Sequence, residues 1–274
     1  MNATLVIAGK EISDGMRNRW VLGATLLLAG LAFALTFLGS APTGELGVKP
    51  LAVVVVSLAS LTIFLMPLIA LLISYDAIVG EVERGCMLLL LTYPVTRRQI
   101  MLGKFLGHVA ILAIATLIGY GGAGAAMAFG DQGDAQSWQA FATLIASSIL
   151  LGAAFVALAY WISASVRERS TAAGISIGLW LAFVVIYDVL LMGLLVASKG
   201  WISDKVFPWL LLANPADIYR LLNLTAFENV RQFSGMSGLS EQAQFAPATL
   251  VAALAVWIAV PLVLANWKFS RSES

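Results

Sequence analysis

A chain of 274 residues in which 60% are apolar and 11% charged lies far below the roughly 25% charged content of soluble proteins, and reads as an integral membrane protein. The net charge of +1 gives no electrostatic case for nucleic acid as a partner. One cysteine, Cys86, and one histidine, His108, exclude an internal disulfide framework, a cysteine-based metal cluster and a two-histidine zinc site within one chain.

Near the N-terminus, Leu5, Ala8, Ile12 and Met16 share one helical face, with Lys10, Glu11, Asp14 and Arg17 off it. The spacing predicts an amphipathic helix over residues 4–19, lying on the membrane before the first span. A charge-free run then predicts a span over residues 20–39. Gly39-Ser40-Ala41 resembles a leader cleavage site, but the apolar run and the segment before it are longer than a secretory signal, so a retained span is expected. Further spans are predicted over 51–75, 105–129, 139–163, 171–197 and 247–267, each long enough to cross ~30 Å of hydrocarbon.

Spans two and three are joined by GEVERGCMLLLLTYPVTRRQIMLGK, residues 80–104. Glu81, Glu83 and Arg84 flank one end; Arg97, Arg98 and Lys104 flank the other. The centre from Gly85 to Thr96 is uncharged and holds four leucines, but is too short for the ~20 residues of a span. A surface helix with charged ends turned to a cytoplasmic partner is expected. Arg167, Glu168 and Arg169 form a second, compact charged connection, either a smaller partner contact or a positive anchor.

Small residues crowd span three at Gly119, Gly121, Gly122 and Gly124, and two GxxxG pairs occur, Gly103/Gly107 and Gly174/Gly178. Both are read as packing within one subunit. Asp188 is the one acid inside a span, where insertion costs ~2.5–3.5 kcal/mol. It is expected to face the bundle or a polar cavity, as a hydrogen-bonding group, an interfacial group or a substrate contact. The outer connection, residues 199–244, contains Asn214-Pro215-Ala216-Asp217, a helix start by capping and dipole, followed by Ile218, Leu221 and Leu222 on an apolar face. It is expected to serve as a lid, an interfacial seal or a docking surface, with Asp217, Arg220 and Arg231 as the docking charges.

With both termini inside, the inner face holds Lys10, Arg17, Arg19, Arg84, Arg97, Arg98, Lys104, Arg167, Arg169, Lys268 and Arg271, while the two short outer loops hold only Lys49. That bias predicts cytoplasmic termini. No phosphate-binding loop is present: Gly9-Lys10 is followed by Glu11 and Gly103-Lys104 by Phe105, without the upstream glycine or the Ser/Thr of a Walker A motif. The chain is therefore not expected to hydrolyse ATP, and no catalytic or metal site is assigned. His108 reads as a packed histidine, and Met66, Met127 and Met192 as core filler, with soft-metal contact left open.

The succession Glu81-x-Glu83-x-Gly85, leucine run, Pro94-Val95-Thr96-Arg97, Leu102-Gly103-Lys104 resembles the signature of ABC-2-type transporter permeases, over nearly the whole chain. The resemblance implies an all-α fold of six spans with an elbow helix before the first, cytoplasmic coupling helices, and a bacterial inner-membrane location. It also implies a cytoplasmic ABC ATPase partner, which would bind ATP and magnesium, and a second copy of the chain. The ATPase-coupling residues would be Glu81, Glu83, Arg84, Gly85, Arg97, Arg98, Lys104, Arg167, Glu168 and Arg169. Within the family, the chain is similar to the branch serving copper-site maturation of nitrous oxide reductase, implying a periplasmic copper-handling partner. The alternatives are a secondary transporter, which one intramembrane acid and no evident repeat support poorly, and an ABC-2 exporter of an unrelated small solute. An intramembrane enzyme lacks the residue pairs it would need.

Overall fold

Backbone amides in hydrocarbon must be satisfied within their own segment, so long apolar runs fold as helices. The computed structural model describes residues 3–38, 50–128, 135–198, 207–224 and 245–271. Every regular element among the described residues is helical, the all-α polytopic architecture read from the sequence. The elbow α1 (Ala3–Arg17) leads into α2 (Arg19–Leu38) and α3 (Pro50–Ser74). Two short helices follow, α4 (Val79–Glu83) and α5 (Cys86–Leu91), then the long α6 (Arg97–Ala128) and α7 (Ala135–Ser165). Next, α8 (Arg169–Leu181) runs through a π-helical turn (Ala182–Ile186) into α9 (Tyr187–Ser198). The short α10 (Phe207–Leu211) and α11 (Pro215–Leu224) precede α12 (Pro247–Arg271). Among the described residues, five helical segments are long and apolar enough to cross a membrane, and six if α1 and α2, bent by 70° to each other, are counted as one span.

Central in the bundle is α7, whose residues 151–160 are buried without interruption. Its sequence there, Leu-Gly-Ala-Ala-Phe-Val-Ala-Leu-Ala-Tyr, lets α3, α6 and α12 pack around it. Gly119 serves a similar purpose between α6 and α2: a Cβ there would lie 3.3 Å from the backbone nitrogen of Ala29. Thr96 starts α6 with a reciprocal cap, its N–H donating to Gln99 Oε1 at 2.8 Å and its hydroxyl accepting from Gln99 N–H at 3.2 Å.

The two GxxxG pairs part company. A Cβ on Gly103 would meet Ile7 Cβ and Thr4 O at 2.8 Å, and one on Gly107 would meet Glu11 Cβ at 2.5 Å; this pair seats the elbow on α6. Gly174 and Gly178 have nothing within 4 Å. Packing within the subunit, the reading made for both, describes only the first. The span formed by α8 and α9 lies at the periphery, with Val189, Leu190, Met192 and Val196 exposed. Met66 and Met127 are core residues, whereas Met192 is 71% exposed.

The helix α11 departs from the surface element that its amphipathic pattern suggests. Residues 216–219 and 221–223 are buried, inserted against α3, α7 and α12. Part of its polar face pairs with the bundle, while Asn223 Oδ1 is buried without a partner. Asn223 Nδ2 donates to Ser147 Oγ at 2.9 Å, and Tyr219 Oη lies 3.3 Å from Ser148 Oγ. The carbonyls of the preceding turn are also claimed, Leu210 by Tyr187 Oη at 2.6 Å and Leu212 by Trp257 Nε1 at 3.1 Å. Buried turns persist only when their backbone groups are paired in this way.

Candidate functional site: the coupling surface and its buried locks

The segment between spans two and three was expected to be one surface helix. It is two, because Gly85 adopts φ 72°, a left-handed conformation that glycine alone takes without a Cβ penalty. The break turns α5 away from α4. Leu89 and Tyr93 are 67% and 68% exposed, and Val82 is also exposed, while Met87 is buried at 1%. Glu83, Arg84, Cys86 and Arg98 are exposed beside them, and so are Arg167 and Glu168 of the second connection. An apolar patch with mixed charges around it therefore projects beyond the elbow end of the spans.

This surface is held rigidly from beneath. Ser163 Oγ of α7 accepts from the N–H groups of Ile78 and Val79, each at 3.1 Å, and so satisfies amides at the start of α4 that have no partner inside the helix. Glu83 Oε1 accepts from the backbone N–H of Arg169 at 2.7 Å, and the Arg169 guanidinium pairs with Asp76. The two charged connections, one between spans two and three and one between spans four and five, are thus one stitched unit. Arg97 Nη1 donates to Phe269 O at 2.6 Å, and its guanidinium lies 5.3 Å from the Phe269 ring centroid. It ties the start of α6 to the end of α12.

Two of the expected coupling charges are not at the surface. Lys104 Nζ lies 2.8 Å from Glu11 Oε1 and 2.7 Å from Glu81 Oε1, with 4%, 12% and 10% of the three side chains exposed. The placement of Glu81 and Lys104 on a partner-facing surface is corrected accordingly: they lock α4 and α6 to the elbow. The physical reason is the close seat at Gly103 and Gly107, which brings the Glu11 side of α1 down onto α6. Glu11, Asp76 and Ser163 were missed in the sequence. The available signal was an acid, Glu11, within one helical turn of the small residues Ala8 and Gly15, a face able to approach a glycine pair. Nearby, Lys10 pairs with Asp14 at 3.0 Å. Partial burial pulls its ammonium down, but Asp14, Glu11 and Glu81 outweigh this and hold it above the usual lysine range. Below Lys104, His108 is buried with Nδ1 2.9 Å from Tyr160 Oη. Among the described residues no group of three His, Cys, Asp or Glu side chains is arranged to hold a metal ion.

At the opposite end, Asp188 faces α11. Arg220 Nη2 donates to Asp188 Oδ2 at 2.7 Å and Nη1 to Asp217 Oδ1 at 2.6 Å. Asn214 caps α11 by accepting the N–H of Ala216 at 3.0 Å, and its amide donates to Asp217 and to Phe183 O in the π-helical turn. Burial pushes the Asp217 carboxyl up to about 7; Arg220 pulls it down, and Asp188, a second acid on the same guanidinium, pushes it up again. Asp217 and Arg220, expected as docking charges, are thereby engaged inside the subunit. Arg231 lies outside the described residues.

The sequence that builds this bundle has counterparts in known proteins. The chain matches the model of the ABC-2 family transporter proteins over residues 5–274. It belongs to the ABC-2 transporter family. It is 49% identical over 273 residues, 99% of each chain, to the probable ABC transporter permease protein NosY of Stutzerimonas stutzeri. It is 47% identical over 273 residues, again 99% of each chain, to the protein of the same name from Pseudomonas aeruginosa. These relatives are named as permeases, the membrane components of ABC systems.

Proposed function

We propose that this permease couples ATP turnover by a cytoplasmic, NosF-like ABC ATPase to work at the opposite membrane face, in copper-site maturation of nitrous oxide reductase. The observation that supports the ATPase contact is the exposed patch of Val82, Glu83, Arg84, Leu89, Tyr93, Arg98, Arg167 and Glu168, braced to α7, α8 and α12. The excess of Lys and Arg at the same end supports cytoplasmic termini in a bacterial inner membrane. ATP and magnesium belong to the ATPase. The open pair Gly174 and Gly178 on a peripheral span supports a homodimer. The nitrous oxide reductase assignment rests on likeness to the NosY proteins. At the outer face, a NosD-like copper-handling protein would dock on the connection between spans five and six, including Arg231. Asp217 and Arg220 hold its inserted helix.

Arg84→Glu with Tyr93→Ala tests this directly. The double variant is expected to insert and melt as wild type, to lose the ATPase on copurification, and to fail to support copper loading of nitrous oxide reductase. Full ATPase recovery and full copper loading would remove the proposed coupling surface. A variant that keeps the ATPase yet supports no copper loading would place the defect elsewhere.

A further inference from the structure

Two cavities meet at the elbow end. One, of about 340 Å³, is polar and lies among α1, α4, α6 and α8. The other, of about 710 Å³, runs between α2 and α3 and is walled by Leu27, Leu65, Leu68, Ile69 and Leu72. They share Asn18, Ile73, Asp76 and Arg169, so a polar chamber and an apolar groove form one two-part cavity. Each volume falls within the ~300–1,000 Å³ of ordinary ligand sites. Leu27 and Leu72 are each nearly half exposed, so the groove opens sideways, where the bilayer lies.

Glu81 Oε2, an acceptor, and Arg169 Nε, a donor, are buried without a hydrogen-bond partner, and both residues line the polar chamber. Buried polar groups left unpaired are costly, and each calls for an explanation. A simple anion answers only the arginine, and a simple cation only the glutamate. The chamber sets Lys10, Arg84, Lys104 and Arg169 against Glu11, Asp14, Asp76 and Glu81, so its overall balance selects neither sign. A group carrying a phosphate and an ammonium a few bonds apart answers both. Apolar tails continuing from the phosphate match the leucine-lined groove.

We propose that this two-part cavity holds one phosphatidylethanolamine from the elbow-side leaflet, its ammonium at Glu81, its phosphate at Arg169 and an acyl chain between α2 and α3. The lipid would then brace the buried lock under the coupling surface. Its site is independent of whether copper maturation is the permease's task.

The test uses the full-length, delipidated permease in detergent and native mass spectrometry, with phosphatidylethanolamine and phosphatidylglycerol of identical chains. Wild type is expected to hold phosphatidylethanolamine at least roughly tenfold more tightly than phosphatidylglycerol. Gly23→Trp places a ring in the groove from a position with no atom within 4 Å of a built Cβ. It should weaken phosphatidylethanolamine binding by roughly tenfold, the burial of about two methylene groups. Glu81→Gln should abolish the preference between headgroups. Leu27→Trp replaces Gly23→Trp if the latter elutes or melts abnormally. Equal retention of the two lipids by wild type overturns the headgroup assignment. Phosphatidylethanolamine binding unchanged by groove filling overturns the acyl site. Glycerophosphoethanolamine binding as tightly as the lipid shows a soluble ligand, and occlusion of the groove by a second copy without bound lipid shows a dimer contact; either overturns the proposal.

Discussion

Lys104→Met separates a buried lock from a partner contact. Lys104 holds two carboxylates, Glu11 and Glu81, that keep only 12% and 10% of their side-chain exposure. Methionine preserves the length of the stem but leaves Glu81 without its cation and Glu11 with only the exposed Lys10, 3.8 Å away. Removing one partner of a buried ion pair costs about 3–5 kcal/mol, most of it the price of the charges left behind. At about 2–4 °C per kcal/mol for a large domain, the purified permease should melt roughly 6–20 °C lower. The triple variant Lys104→Met, Glu11→Gln, Glu81→Gln removes all three charges of the lock and should recover most of that loss, since replacing a whole buried ionic cluster is often near neutral. The assay is thermal unfolding followed by intrinsic tryptophan fluorescence, with ATPase copurification measured on the folded fraction. That fraction should still bind the ATPase. A melting temperature within a degree or so of wild type, or a triple variant as unstable as the single one, would refute the reasoning.

Arg220→Met should destabilise by less, about 1–3 kcal/mol, because Asp188 is 36% exposed and Asp217 can take up a proton when its cation is gone, and limited proteolysis should then release α11 first. Adding Asp188→Asn and Asp217→Asn should restore resistance. Asp217 supplies a pH test. Its carboxyl is raised from 3.8 to about 7 by burial and Asp188, so its contribution is complete below about pH 4 and is lost as pH rises through about 7. Hydrogen exchange in α11 should therefore be slower at pH 5 than at pH 8 after correction for intrinsic rate, and Asp217→Asn should flatten the difference. Gly174→Leu with Gly178→Leu should leave the isolated subunit folded and shift it from dimer to monomer by native mass spectrometry. An intact dimer would exclude that helix face as the interface.

The number and approximate place of the spans were legible because hydrocarbon imposes a one-dimensional rule. A run of about 20 uncharged apolar residues is readable without knowing its neighbours. Local chemistry carried further: the Asn214-Pro215 start of α11 and its cap follow from residues within one turn of one another. Which charge faces a partner and which is buried is a different kind of fact. Glu81 and Glu83 are two residues apart in an acidic stretch, yet α4 turns Glu81 to Lys104 and leaves Glu83 exposed, bonded to Arg169 N–H. Residues two apart on a helix point in different directions, but the inward direction depends on where α6 and the elbow lie. The same holds for α11. Its period of apolar residues described one buried stripe, while Ser147 and Ser148 of α7 pair with its Asn223 and Tyr219, and Tyr187 and Trp257 pair with the carbonyls of the turn before it. Composition and periodicity determined that this protein is an all-helical, many-span membrane bundle. Long-range pairing across the bundle decided which of its few charges are buried locks and which stay exposed, because a buried charge is stable only where another segment of the chain brings its partner.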